Sequence, residues 1–431
     1  MCRTTRKVLR LILSLALTTF LASCGSGDSE DDDLYINLYS SPVFGEHSLV
    51  LKYDADGTLR AWGANGYGQL GLGDRKDKTS PQTVAPQDGD TGFTQVSIGG
   101  AHGVAIGNNG NVYAWGHNIN GQLGDNTNTT RATPDQVLGI GGLLPLTGVT
   151  AVAAGGRHTL ALTTTGTVLA WGSNAQGQLG NGTKESSKIP VLVTGLSNVV
   201  IVKIAAGGEF SLALDAQGAV WAWGSNSTGQ LGDGTTTTSL VPKQVMKRSE
   251  VNGIESYGEP LTDITEIAAG GSHALAIMND GTIWAWGYNV FGQLGDDSTT
   301  TRKGAVAVLM PTAESVASSI AAGLDHSLAV IGIGGVNYVY AWGYNKSGQL
   351  GNGGALNTES AFKTPLRVQV KEGSVLTDLV GIESVIAGGY HSMARASTPV
   401  NTLYTWGKNS KGQLGDGGRV SRSHAALVTG F

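Results

Sequence analysis

Six histidines recur at one register of this 431-residue chain: His47, His102, His158, His273, His326 and His391. Imidazole is a common metal ligand and general base, so six equivalent copies raise two chemistries, a metal cage and proton transfer. Phe210 holds the same place in the fourth copy. A position that accepts a phenyl ring within the series points instead to a scaffold, each imidazole fixing a turn through a backbone hydrogen bond. Short acceptors recur as well. A Leu-Gly pair is followed by Asp125, Asn181, Asp233, Asp296, Asn352 or Asp416, and in the first copy by Asp74 slightly later. Turn chemistry tolerates the exchange of amide and carboxylate, whereas a catalytic acid does not. The G-x-x-x-x-G runs, such as Gly63 to Gly68 and Gly172 to Gly177, continue with Gln-Leu rather than Lys-Ser/Thr, which excludes a phosphate loop. Gly66 to Gly71 looks like a dinucleotide fingerprint but sits in the same repeat loop with no helix following. No G-x-S-x-G, H-E-x-x-H or kinase motif set occurs. The only cysteines are Cys2 and Cys24, so everything beyond residue 24 lacks a thiol for nucleophilic, disulfide or zinc chemistry. The expectation is a chain with no catalytic residues, no metal and no cofactor.

The frame for these residues is a phrase repeated seven times, W-G-x-N-x-x-G-Q-L-G, beginning at Trp62, Trp115, Trp171, Trp223, Trp286, Trp342 and Trp406. Copies recurring at such a period are one structural unit repeated. Residues 149–195 read as four short strands: Thr150–Ala154, His158–Thr163, Thr167–Trp171 and Ile189–Thr194. Gly-bearing turns separate the first three, including Thr165-Gly166, and glycine supplies the positive φ of a tight hairpin. Four antiparallel strands per unit is the size of a propeller blade. Large aromatics at one register suit the seams between blades, so the seven tryptophans are assigned to packing, with Trp221 and Trp284 as further core. The chain stops at Ala426–Gly430, which matches a fourth strand, while Ile36–Phe44 and Gly45-Glu46-His47 supply a first strand and the turn after it. One blade is therefore predicted to combine strands from both ends, closing the ring and removing sheet edges.

The run A-G-G-x-H-S-L-A-L, then G-x-V-x-A-W-G-x-N-x-x-G-Q-L-G-D-G, resembles the regulator of chromosome condensation repeat over residues 36–431. The resemblance implies an all-β, seven-bladed β-propeller of four-stranded antiparallel blades. One family member senses light through Trp in a G-W-R-H-T motif; the nearest match here, Gly156-Arg157-His158-Thr159, lacks that Trp, which argues against light sensing. The name-giving member exchanges nucleotide on a small GTPase, and secreted bacterial members include a protein inhibitor of β-lactamases.

Residues 1–23 read as a secretory signal: Arg3, Arg6, Lys7 and Arg10, an apolar stretch to Leu21, then Leu21-Ala22-Ser23 before Cys24. That ending resembles the bacterial lipoprotein box, which implies acylation of Cys24 and an outer-membrane or surface address. Residues 24–35, with Asp28, Glu30, Asp31, Asp32 and Asp33, form an acidic tether, and 36–431 form the propeller. Residues 1–23 hold four positive charges and no acid. Residues 24–431 thus carry 24 basic against 33 acidic residues, a formal charge of −9 compared with −5 for the whole chain. Nothing there offers a basic face for nucleic acid.

First and third strands of a blade run the same way, so the turns and loops that leave them share one face. Tyr67, Arg157, Tyr288, Phe291, Tyr344 and Tyr390 occupy its variable positions and form the candidate binding face, with His117, Glu209, Asp325, Lys346, Lys408 and Lys411 around them. Tyrosine and arginine anchors suit protein recognition. Long connections at 247–260, 371–378 and 139–146 are expected on the opposite face. The sequence reading is a monomeric, lipid-anchored, non-catalytic platform that binds or inhibits another protein and touches membrane only through its lipid. An exchange-factor-like protein and a propeller enzyme are the alternatives.

Overall fold

Apolar residues fill whole strands rather than alternating. His158–Thr163 and Val168–Gly172 are buried at nearly every position, as are His102–Gly107, Val112–Gly116, Phe210–Asp215 and His273–Met278 of other units. A strand that is apolar on both faces must be covered on both, and the neighbouring blades do this. The computed structural model describes residues 36–40, 45–52, 57–356, 361–398 and 402–428. Cys24 and the acidic run at 28–33 lie outside them.

Seven antiparallel four-stranded sheets arise, one per unit, spanning 36–84, 93–136, 149–192, 201–244, 264–307, 316–367 and 382–427. They form a seven-bladed β-propeller. The first strands of successive blades are ring neighbours, and Ile36–Ser40 lies against both Phe93–Ile98 and Ile382–Ala387. The predicted shared blade is not formed. The first sheet is built from 36–84 alone, and Arg422–Leu427 completes the seventh beside Leu403–Gly407. Each unit, counted from its first strand, already supplies four strands, so the ends meet by side-chain packing and loop hydrogen bonds, as every other pair of blades does.

The outer strand of each blade is the exposed edge, and it is closed off in two ways. Three residues past its pairing with the Trp-Gly glycine stands a proline in five blades: Pro81, Pro134, Pro190, Pro242 and Pro365. Proline donates no hydrogen bond and so blunts an edge. In the fifth and seventh blades the same register holds Ala305 and Ala425. Those two residues pair with Lys247 and Val370 of added hairpins, Met246–Val251 with Ile254–Pro260 and Gln369–Glu372 with Val375–Asp378. The long connections expected as loops on the opposite face are thus two sheet extensions along the outer rim. Tyr257 of the first packs on Gly234 and Gly304, and Leu376 of the second on Gly353. Asn252 and Gly253 at the first tip both have positive φ, the pattern of a tight Asn-Gly turn. The third connection packs Gly142 against Asn126 and Ile189.

An Ala305→Pro substitution removes the amide that the hairpin edge uses. Hydrogen exchange across 247–259 is expected to accelerate at least about tenfold, with the melting temperature of the ring almost unchanged. Unchanged protection there would show that edge pairing does not hold the hairpin.

Candidate functional site

The repeated residues build a joint between blades. In all seven seams the tryptophan indole N–H donates to the backbone carbonyl of the preceding blade's repeat Gln: Trp115 to Gln69, Trp171 to Gln122, Trp223 to Gln178, Trp286 to Gln230, Trp342 to Gln293, Trp406 to Gln349 and, across the ends, Trp62 to Gln413, at 2.8–3.0 Å. Inside each loop the buried Asn accepts from the Leu amide and donates towards the Asp or Asn after Leu-Gly, as Asn118 does with Leu123 and Asp125. The recurring carboxylates are thus turn and loop partners. Asp125 and Asp296 are also ion-paired to Arg131 and Arg302.

The histidines reach across the same seams rather than bonding their own turns. His102, His158, His273, His326 and His391 place Nε2 at 2.9–3.0 Å from the hydroxyls of Thr159, Ser211, Ser327, Ser392 and Ser48 on the next blade. Each hydroxyl donates its one proton to the Gln carbonyl that the indole also uses. The imidazole must then be the donor, which fixes the Nε2–H tautomer. Burial pushes these rings down to about 3, or about 4 for His391, so they are neutral at pH 7. The ring lies on the first glycine of its own turn: a Cβ on Gly155 would sit 2.4 Å from His158 Cε1, and one on Gly207 2.1 Å from the Phe210 ring.

Two seams lack this hydroxyl. Phe210 faces a blade with Ala274 at that position, so an apolar pair replaces a polar one. His47 faces a blade with Gly103, and among the described residues neither of its ring nitrogens has a hydrogen-bond partner. Among the described residues no group of three or more His, Cys, Asp or Glu is placed to hold a metal.

The variable positions gather on the first face around a central bowl of about 650 Å³, lined in part by Tyr67, His117, Arg157, Glu209, Tyr288 and Asp325. Tyr67 leans on His117 with centroids 4.6 Å apart. Tyr288, Phe291, Tyr344 and Tyr390 continue as a ladder across the fifth to seventh blades, with successive centroids 6.3, 4.6 and 6.3 Å apart. Lys408 lies 5.3 Å above the Tyr390 ring and is ion-paired to Glu46 of the first blade. Among the described residues the Asp325 carboxylate has a single marginal partner, the Gln293 amide at 3.5 Å, and burial pushes it up to about 6. Burial and then the Asp325 charge raise the Tyr288 and Tyr390 phenols. The opposite mouth, about 290 Å³, is lined by small apolar residues of the first strands such as Ala153, Ala205 and Ala268.

The six candidate face residues therefore share one surface. Tyr67, Arg157 and Tyr288 line the bowl, and Phe291, Tyr344 and Tyr390 extend its aromatic side. The fully buried repeat tryptophans are separate from it. Trp221 and Trp284, expected in the core, are only partly buried at the edges of their clusters; Trp221 donates to Asp215 and Lys247 lies over Trp284. Sequence reasoning missed the Glu46–Lys408 tie, although both stand at variable positions of units that become neighbours once the ring closes.

A model of the RCC1-like domain matches residues 141–431, and the regulator of chromosome condensation (RCC1) repeat matches 56–106 and 109–162. The ultraviolet-B receptor UVR8 of Arabidopsis thaliana is 31% identical over 387 residues, 89% of this chain and 79% of that protein. The human E3 ubiquitin-protein ligase HERC2 is 29% identical over 85% of this chain, but the match spans only 7% of the ligase. Among solved structures, Prp20p from Saccharomyces cerevisiae, described with its binding to Gsp1p and histones, superposes with a TM-score of 0.68 at 25% identity, covering 92% of this chain and 88% of that one. Human WBSCR16 gives 0.68 at 21% identity, covering 86% and 94%, a likeness of fold.

The histidine joint has two consequences. An imidazole whose native pKa lies below its unfolded value stabilises fully above about pH 6.5 and loses that stability as pH falls, by roughly 1.4 kcal/mol per group per pH unit. Acid unfolding, followed by tryptophan fluorescence, is expected to begin well above pH 4 with a proton uptake approaching six, one for each repeat histidine. Uptake of one or two would contradict the assignment. His158→Phe, which leaves Ser211 without its donor, should cost about 1–2 kcal/mol in urea, whereas His47→Phe should be neutral or stabilising; equal costs would remove the distinction between the seams.

Proposed function

This chain belongs to the regulator of chromosome condensation repeat family, and we propose that it is a non-catalytic propeller platform whose first face binds another protein. The observation that carries this reading is the aromatic ladder beside the bowl, four half-buried rings held on loops that the seam bonds fix. Rigid aromatic anchors bring large contact area with little conformational entropy to lose, which is the chemistry of interface hot spots. The related Prp20p binds the proteins Gsp1p and histones, which supports a protein partner as a class. The HERC2 match spans too little of that ligase to bring its activity here. By the layout of residues 1–24, the platform is exported and held to a bacterial membrane by lipid on Cys24, at the outer membrane or cell surface. Inhibition of the bound protein is the form of activity this placement favours. Nucleotide exchange on a small GTPase is the second reading; the family resemblance favours it and the signal-like leader argues against it.

The test is site-specific photocrosslinking in the native host, with the crosslinker at Tyr67, Tyr288 or Tyr390 and, as a control, at exposed Lys243 on an outer strand. One protein is expected to crosslink from the face positions and not from Lys243, in a membrane fraction that Cys24→Ala depletes of this chain. The same products from all positions would overturn the platform. Retention of residues 1–23 in the cytosol would overturn the export.

A further inference from the structure

One seam of the ring shows how the first face treats a carboxylate. Glu46 stands at the variable position before the first-blade histidine, and Lys408 at the variable position after the seventh-blade Trp-Gly. The two are ion-paired, and the ammonium also lies over the Tyr390 ring, 5.3 Å from its centroid. Carboxylate, cation and aromatic face together make a satisfied unit.

The seam between the fifth and sixth blades has the same layout without its cation. Asp325 is the register equivalent of Glu46, and Tyr288 is the equivalent of Lys408. Asp325 makes no ion pair among the described residues, and the Gln293 amide at 3.5 Å is its only hydrogen-bonding neighbour. Its carboxyl nonetheless lines the bowl, beside Tyr288 and Leu324. Glu209, on the fourth blade, is exposed on the same bowl and likewise has no ion pair among the described residues. Arg157 stands with His117 and Tyr67 on the wall, its turn against that of Glu209 and three blades round the ring from Asp325, so no cation of the lining stands beside the Asp325 carboxylate.

We propose that the Asp325 side of the bowl is a socket for a basic side chain, lysine or arginine, projecting from the bound partner. This rests on the platform reading above and names the chemistry of what that face takes. The carboxylate of Asp325 receives the charged head. The Tyr288 ring and Leu324 line the apolar stem, as aliphatic and aromatic surface does for long basic side chains. Glu209 adds a second negative charge on the same bowl, two blades away and beside Arg157. A partner that meets this face through a neutral or acidic side chain would leave the Asp325 carboxylate desolvated and unpaired, which costs more than it returns.

The probe is an acetylated, amidated pentapeptide, Gly-Gly-Arg-Gly-Gly, titrated calorimetrically into the full chain at low salt, beside the same peptide with citrulline for arginine. Citrulline keeps the shape and removes the charge. Saturable binding of the arginine peptide is expected in the roughly millimolar range, with the citrulline peptide at least about tenfold weaker. Asp325→Asn is expected to abolish that tenfold preference, and the more distant Glu209→Gln to reduce it by less. Asp325→Asn removes a buried charge at constant shape, so its melting temperature at pH 7 should equal or exceed that of the parent, which separates lost binding from lost fold. Equal affinity for the two peptides, an unchanged preference in Asp325→Asn, or no saturable binding overturns the socket. Crosslinks from Tyr67 or Tyr390 that persist in Asp325→Asn would then show that the platform stands while its socket does not.

Discussion

One backbone carbonyl per blade, that of the repeat Gln, holds the ring together. It accepts the indole N–H of the next blade in every seam and a hydroxyl proton in five. The hydroxyl is in turn the acceptor for a neutral imidazole of the preceding blade. Four groups thus bond one another in a buried site, where each unmade bond would cost about 1–3 kcal/mol, and Nδ1 of His102, His158, His273 and His326 stays without a partner among the described residues. The spacing of the repeat phrase follows from this. Tryptophan sits where its strand leaves the sheet, Gln where the loop returns over the next seam, and glycine beneath the imidazole where no Cβ fits.

Because shape is carried by recurrent residues, the non-recurrent ones on the first face are free of structural duty. Tyr288, Phe291, Tyr344 and Tyr390 touch one another at the surface, and the buried tryptophans do not depend on them. The seams are not uniform. Phe210 with Ala274 is a matched apolar exchange that leaves no polar group unpaired. His47 opposite Gly103 is an unmatched one, with both ring nitrogens buried and without partners among the described residues.

Blade number, strand order within a blade, the common register of the histidines and the shared face of the six candidate residues were legible in the sequence, because each depends on register within one repeat. What was not legible depends on relations between repeats. The imidazole partner is a hydroxyl some 53–66 residues away, or further at the closure, so the expected backbone bond was the wrong partner. The closure was misread because matching strands by sequence does not say which sheet they join. The added hairpins looked like loops. Their signal was present in the missing prolines: Ala305 and Ala425 break a series that Pro81, Pro134, Pro190, Pro242 and Pro365 set, and an edge without proline needs a cover. Asp325 was visible as a face residue, but its lack of a cation became visible only beside the paired Glu46 and Lys408.

The most direct measurement is solvent exchange of the tryptophan indole protons by NMR. The indole protons of Trp62, Trp115, Trp171, Trp223, Trp286, Trp342 and Trp406 are expected to exchange together, at the rate of global unfolding, while that of Trp284, which has no hydrogen-bond partner among the described residues, exchanges faster. If several of the seven exchanged independently and quickly in the folded protein, the carbonyl joint would not be what holds the blades.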